Sequence, residues 1–367
     1  MEILLLGGTG TLSSAVLSNA LDKGYNVTVM NRGSKNNALP DTVKTIICDF
    51  TDNEGLCKTF CHQRYDVVVD FLSRTPVDIE RVYSVFKDNC KQYIFISSAC
   101  VYRRASEDFP LIENSPKPNR DWSYNILKYE SEQKLIELSK DSQSYYTIVR
   151  PYITYDDERI PIGISPAYRF CRTIIERIRV GKPWFVWDDG NAITTLTYAA
   201  EFAYGVVGLF FNAKAVNTDF HITSGYQYSQ LEVINTIFKK LDRTANVVNI
   251  PSCEIVRILP EYKGILLGDR ALSAVFDNSK IKDAVPDLRF AVSLEKGLDK
   301  VFSYWERLDT YDYDYKFDAR IDKLISTYGV KVGYVKYPGS SRCTRLIYMA
   351  YRYLPLRVAK RITRHLK

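Results

Sequence analysis

Glu2-Ile3-Leu4-Leu5-Leu6-Gly7-Gly8-Thr9-Gly10-Thr11-Leu12-Ser13 is the stretch whose reading decides the fold. Ile3 to Leu6 form a short apolar run of the kind a buried strand needs. Glycines at 7, 8 and 10 then let the backbone turn tightly, and apolar residues return at helical spacing from Leu12 to Lys23. A helix starting there aims its unpaired N–H groups and the positive end of its dipole into the turn, which makes a seat for phosphate. A glycine cluster alone says little. Between a strand and a helix, with a second strand following, it has the context of a dinucleotide-binding turn, with Gly7, Gly8, Thr9, Gly10, Thr11 and Leu12 as candidate contacts.

Working outward, β-branched runs at 26–30, 45–47, 67–69, 93–96 and 147–149 alternate with amphipathic stretches at 12–23, 54–62, 77–89 and 124–138. Strand–helix alternation of this kind predicts an α/β fold, a Rossmann-type doubly wound parallel sheet over residues 1–150. After Arg150-Pro151 the alternation weakens. Residues 151–308 mix helix-like segments at 167–180, 199–211 and 229–241 with short strands, which predicts a smaller mixed α/β substrate lobe with some chain crossing back to the sheet. Residues 309–367 read as a helical, basic C-terminal extension.

With 367 residues, 46 % hydrophobic and 25 % charged, the chain can bury one large or two modest cores. No run approaches the ~20 apolar residues of a spanning helix, and Met1 leads into a strand without a basic leader, so a cytoplasmic protein is expected. Eight scattered cysteines and three histidines show no paired-ligand spacing, which disfavours a metal site or a disulfide scaffold. The net charge of +7 is concentrated: residues 340–367 hold eight basic residues and no acid, so the rest carries one net negative charge (+7 less 8).

The second strand ends in Asn31-Arg32-Gly33, where an NAD enzyme places an acid for the ribose 2′-hydroxyl. Arg32 instead matches a 2′-phosphate, so NADP(H) is favoured and NAD(H) is the alternative; a solvated arginine is the bland reading. Asp49 either meets the adenine or caps the turn at Thr51-Asp52. Phe71 and Leu72, past the fourth strand, and Pro151 and Tyr152, past the sixth, complete the candidate cofactor contacts.

Strand 93–96 runs into Ser97-Ser98-Ala99-Cys100-Val101-Tyr102, and Tyr124 and Lys128 share one face of a predicted helix. A phenol with a pKa of ~10 needs a neighbouring cation to work near neutrality. Lys128 supplies it. Ser98 orients a substrate oxygen, Tyr124 exchanges the proton, and hydride moves to or from a nicotinamide. Tyr-x-x-x-Lys is common by chance in a chain with 27 tyrosines; its conjunction with the serine-ended strand and the glycine turn gives it weight.

Gly-Gly-Thr-Gly, Ser-Ser-x-x-Val-Tyr, Tyr-x-x-x-Lys and Arg-Pro, in this order across roughly residues 1–300, resemble the extended short-chain dehydrogenase/reductases, the NAD-dependent epimerase/dehydratase group. The resemblance implies Ser98 as catalytic serine, Tyr124 as acid–base, Lys128 on the nicotinamide ribose, and a nucleotide-sugar-like substrate held by the C-terminal lobe. Two departures matter. Ser13 replaces the usual third glycine, and Ala99-Cys100 stand where sugar dehydratases carry Asp-Glu, which disfavours dehydration. Asn31-Arg32-Gly33 and the run from Phe276 to Lys280 resemble enzymes of bacterial surface-polysaccharide pathways and, more distantly, a chloroplast RNA-binding group.

The expected activity is therefore NADP-dependent reduction of a keto group on a nucleotide-activated sugar or related polyol precursor. A nucleotide-sugar epimerase is the enzymatic alternative, and an RNA-binding or scaffold protein the non-enzymatic one. Tyr152 and Thr154 are candidate ligand contacts, with core packing as the competing role. Arg270 and Lys280 are candidate diphosphate ligands, each with a plain surface loop as its competitor. The tail predicts an amphipathic helix broken at Pro355, packed on the body or lying on an anionic membrane; nucleic acid is disfavoured. A homodimer is the default assembly.

Overall fold

The computed structural model describes residues 1–34, 39–309 and 311–366. Seven parallel strands form the central sheet: β1 (Glu2–Leu6), β2 (Asn26–Asn31), β3 (Lys44–Ile47), β4 (Tyr65–Asp70), β5 (Cys90–Ile96), β6 (Tyr145–Pro151) and β7 (Thr218–Ile222). Their spatial order is β7-β6-β5-β4-β1-β2-β3, the doubly wound arrangement whose direction of winding reverses between β1 and β4.

Strand periodicity divides the side chains between two cores. Ile3, Leu5, Val27, Val29, Val67, Val69, Ile94 and Val149 point to one face, under α1 (Thr11–Asp22) and the helix Ala199–Gly208. Leu4, Leu6, Met30, Val68, Tyr93, Phe95 and Ile148 point to the other. There they meet α2 (Asn53–Phe60), α3 (Pro76–Phe86) and α4 (Ser123–Ser139). Local chemistry starts the helices where the sequence says: Thr75 and Asp78 cap each other's backbone N–H, with Pro76 in the first turn of α3.

The chain forms two compact units, and they do not divide by a single cut at 150. The first comprises 1–156, 195–227 and 274–291. Its two later segments return because β7 pairs with β6, while Ala199–Gly208 and Ser279–Ala284 cover the sheet. The second comprises 157–194, 228–273 and 292–367, so the C-terminal extension belongs to the same unit as most of the lobe. It contains a parallel pair, Trp184–Trp187 with Val247–Ile250, among helices.

Two local expectations change in this second unit. The stretch 167–180 becomes a single 3₁₀ turn (Tyr168–Phe170) and then a helix (Arg172–Arg179). Residues 266–270 form a π-helical turn with Leu266, Gly268 and Asp269 buried, so this segment is not a surface loop. Thr310, near the start of the expected C-terminal extension, and Lys367 in the basic tail lie outside the described residues.

Candidate active site

The carboxyl ends of β1, β4 and β5 carry the site, at the reversal in strand order where an open α/β sheet leaves a crevice. At β1 the chain turns through Gly7, whose φ of +88° is the left-handed region that glycine enters without strain. A Cβ on Gly8 would come within 2.5 Å of Val29 Cγ1, so this glycine lets α1 sit down on the sheet. Gly10 caps α1, and a Cβ there would meet nothing closer than Ser13 Oγ at 3.6 Å, leaving the helix N-terminus open to a ligand. Ser13, at the usual third-glycine position, fits by donating its hydroxyl to Gly10 O (3.3 Å) and accepting from Gly10 N (3.0 Å).

Beside this turn, Asp70 at the end of β4 shapes the next loop. One of its carboxylate oxygens accepts from Leu72 N (2.8 Å) and Ser73 N (3.0 Å), and the other accepts from the Tyr93 hydroxyl (2.7 Å). That fold-back sets Leu72 against Gly7, where a Cβ would lie 3.1 Å from Leu72 Cδ2, with Phe71 Cβ also within reach at 3.7 Å. The structure thus brings Phe71 and Leu72 to the glycine turn.

At the end of β2, Asn31 Oδ1 accepts from Gly33 N at 2.6 Å and closes a turn that leaves Arg32 exposed. Asp49 Oδ1 accepts from Thr51 N (2.9 Å) and Thr51 Oγ1 (2.8 Å), so Asp49 does cap its turn. Those bonds hold its carboxyl below the ordinary value, and the Arg32 charge adds to the effect.

Ser98 follows β5. Its hydroxyl oxygen accepts from Cys100 N (3.2 Å), which fixes the side chain at the mouth of a 3₁₀ turn (Ala99–Val101) and leaves its proton available. Lys128 on α4 reaches across to the strand ends, donating to Ile96 O (2.9 Å) and to Ser73 O (2.8 Å). Two of its three donors are used, and one remains for a ligand. Burial pushes its pKa down to about 8. Tyr124, one turn earlier on the same helix face, is half-buried and packs its ring on Trp122 with centroids 4.7 Å apart. The serine-bearing strand end and the Tyr/Lys face are therefore tied together through Ile96 O.

Two buried polar atoms at this edge have no hydrogen-bond partner among the described residues: Asn31 Nδ2 beside the β2 end, and Ser73 Oγ beside the Lys128 contact. A buried donor without a partner costs about 1–3 kcal/mol, which a bound ligand would remove. Together with the open helix N-terminus, they fit an extended dinucleotide running from β2 to α4.

The remaining candidates make contacts of their own. Tyr152 is buried with Phe276, Tyr102 and Leu111, with the Arg104 guanidinium 4.9 Å above its ring. Pro151 ends β6, and Thr154 lies in a two-residue strand paired with Thr197. Lys280 bonds Thr218 Oγ1 (2.9 Å) and Asp219 Oδ1 (3.1 Å). Thr218 pairs with Thr147 and Ile222 with Pro151, so this ammonium sits about four residues, ~13 Å, short of the carboxyl edge. Arg270, in the second unit, ion-pairs with Asp269.

Sequence reasoning missed the polar scaffold under the site. Arg150 makes a bidentate pair with Glu132 (2.8 Å for both bonds), donates to the Tyr102 hydroxyl (2.8 Å) and pairs with Asp219 (2.7 Å). Glu132 also accepts from Ser97, and His221 bonds Tyr102 and Asp277 O. A signal existed: Tyr124, Lys128 and Glu132 recur every fourth residue along one face of α4.

Comparison with known proteins agrees with this fold. The family model for the NAD dependent epimerase/dehydratase family matches residues 3–223. The chain belongs to that family. It is similar to the chloroplast stem-loop binding protein of 41 kDa b of Arabidopsis thaliana, 25 % identical over 86 % of this chain and 79 % of that protein. It is also similar to the UDP-glucose 4-epimerase of Erwinia amylovora, 22 % identical over 65 % of this chain and 82 % of that one. The crystal structure of UDP-glucuronic acid 4-epimerase from Bacillus cereus, in complex with UDP-glucuronic acid and NAD, superposes with a TM-score of 0.67. It is 20 % identical and covers 84 % of this chain and 99 % of that chain. As a member of the NAD-dependent epimerase/dehydratase family, this chain carries its glycine turn, strand-end serine and Tyr/Lys face within the matched residues 3–223.

Proposed function

We propose that this member of the epimerase/dehydratase family inverts a hydroxyl-bearing ring carbon of a nucleotide-activated sugar. The observation that carries the reading is the anchoring of Lys128 on Ile96 O and Ser73 O, which holds the face bearing Tyr124 at the strand end bearing Ser98. A nicotinamide, when bound, accepts and returns hydride. Glycine-turn N–H groups and the α1 N-terminus would hold its pyrophosphate, with Lys128's third donor on its ribose. Ser98 Oγ donates to the reacting sugar oxygen, and Tyr124 Oη takes up and later returns the proton. The Lys128 ammonium favours the phenolate that this exchange requires. Ala99-Cys100, lacking the acid pair of the dehydratases, leaves no second acid–base couple next to Ser98 for losing water.

Arg32 favours a second reading. Its exposed guanidinium beside Asp49 suits a 2′-phosphate, and an enzyme drawing on NADPH runs net reduction. One assay separates the two. UDP-sugars are incubated with NAD or with NADPH, following both cofactor absorbance and sugar stereochemistry. Inversion without net cofactor change supports the epimerase; stoichiometric NADPH loss, abolished by Arg32→Ala, supports the reductase. Neither survives if Tyr124→Phe leaves turnover within a few-fold of wild type, or if the wild type turns over no UDP-sugar, the result expected of a protein serving only as an RNA binder.

A further inference from the structure

The helix Arg342–Tyr353 is apolar on two opposite sides. Ile347, Tyr348, Ala350 and Tyr351 are buried, and the helix packs on Tyr315–Ser326, where the Tyr348 hydroxyl donates to the Asp322 carboxylate. Asp322 and Asp318 are themselves locked in a buried ion cluster, each accepting from Lys182 Nζ at 2.7 Å and each paired with Arg177. The helix is thus already anchored without its other side. On that side Leu346, Met349 and Tyr353 recur at i, i+3 and i+7 and remain 41–64 % exposed. Past the break at Leu354-Pro355, the helix Leu356–Ile362 buries Ala359 and exposes Val358 and Ile362, one turn apart.

Single exposed apolar side chains are ordinary; five within 346–362 at helical intervals are not. Around them Arg342, Arg345, Arg357, Lys360, Arg361 and Arg364 are exposed, and residues 340–367 contain no acid. We propose that these two C-terminal helices dock on a bilayer surface rich in anionic lipid, with the cations on headgroups and the Leu346/Met349/Tyr353 and Val358/Ile362 stripes in the acyl boundary. Such a surface offers both an anionic layer and an apolar layer a few ångströms beneath it. A second copy of this chain would set cations against cations. A nucleic acid would use the cations and leave the stripes in water. Among the described residues no helix is long and apolar enough to cross a membrane, so the segment lies in the interface plane.

The test is co-sedimentation of the full chain with vesicles of phosphatidylcholine alone or with about one-third phosphatidylglycerol. Affinity for the anionic vesicles should be at least ~10-fold higher and should fall ~10-fold or more on going from ~0.1 M to ~0.5 M salt. Leu346→Gln with Met349→Gln, both at exposed positions, should weaken it ~10-fold with an unchanged melting curve. Equal binding to both vesicle types, no binding, or full binding by the double variant overturns the proposal. So does tighter binding to an RNA oligonucleotide than to the anionic vesicles, unaffected by that variant.

Discussion

Replacing Lys128 with Met tests the site through stability as well as rate. Lys128 is 4 % exposed, so folding moves a charge out of water, and burial holds its pKa at about 8 against 10.5 for the free group. A lysine whose folded pKa is lowered costs stability wherever the unfolded chain would carry the proton and the folded one resists it. That cost is full below about pH 8, shrinks as pH rises and is gone above 10.5. At about 1.4 kcal/mol per pH unit it amounts to about 3 kcal/mol near neutrality and about 1 kcal/mol at pH ~9.5. Lys128→Met removes the titration, along with two charge-assisted hydrogen bonds of ~1.5–3 kcal/mol each. Net stability near pH 7 is thus a difference of similar quantities, and its pH dependence is the cleaner measurement. Urea unfolding of both ligand-free proteins should show the variant losing about 2 kcal/mol relative to wild type between pH ~7 and ~9.5. Its kcat/KM should fall ~100-fold or more, as for loss of a group that stabilises the phenolate. A pH-independent stability difference would refute the burial argument, and a rate within a few-fold of wild type would refute the catalytic one.

Three further outcomes follow from packing and charge. Gly8→Ala places a Cβ 2.5 Å from Val29 Cγ1 in the packed α1 face, so urea unfolding should show a loss of ~1–3 kcal/mol and titration should show weaker dinucleotide binding. Glu132→Gln removes the bidentate partner of buried Arg150 while Asp219 stays paired, so stability should fall by ~3 kcal/mol, and adding Arg150→Met should recover part of it. Asp318→Asn leaves Arg177 and Lys182 sharing a single carboxylate, Asp322; a loss of ~3–5 kcal/mol is expected in a denaturant melt, and Asn at the exposed Asp309 serves as the neutral control.

The order of elements over the first 150 residues is local information: β-branched runs, caps such as Thr75 with Asp78, and a glycine turn fixed by backbone geometry all act over a few residues. The Tyr124–Lys128 face and the strand-end position of Ser98 were legible for the same reason, since i,i+4 spacing and strand length need no tertiary partner. What Lys128 bonds to was not legible: Ser73 and Ile96 lie 55 and 32 residues away and meet it only when α4 covers β4 and β5. Lys280 and Tyr152 show the same limit, because pairing with Asp219 and ring packing against Phe276 depend on chain that returns after residue 195. Sequence by itself determined the sheet, the glycine turn and the Tyr124–Lys128 face, through interactions that decay within a helical turn or a strand. Tertiary structure alone decided which charges are buried and paired, and which face of the C-terminal helices stays in water, because both depend on side chains brought together from distant parts of the chain.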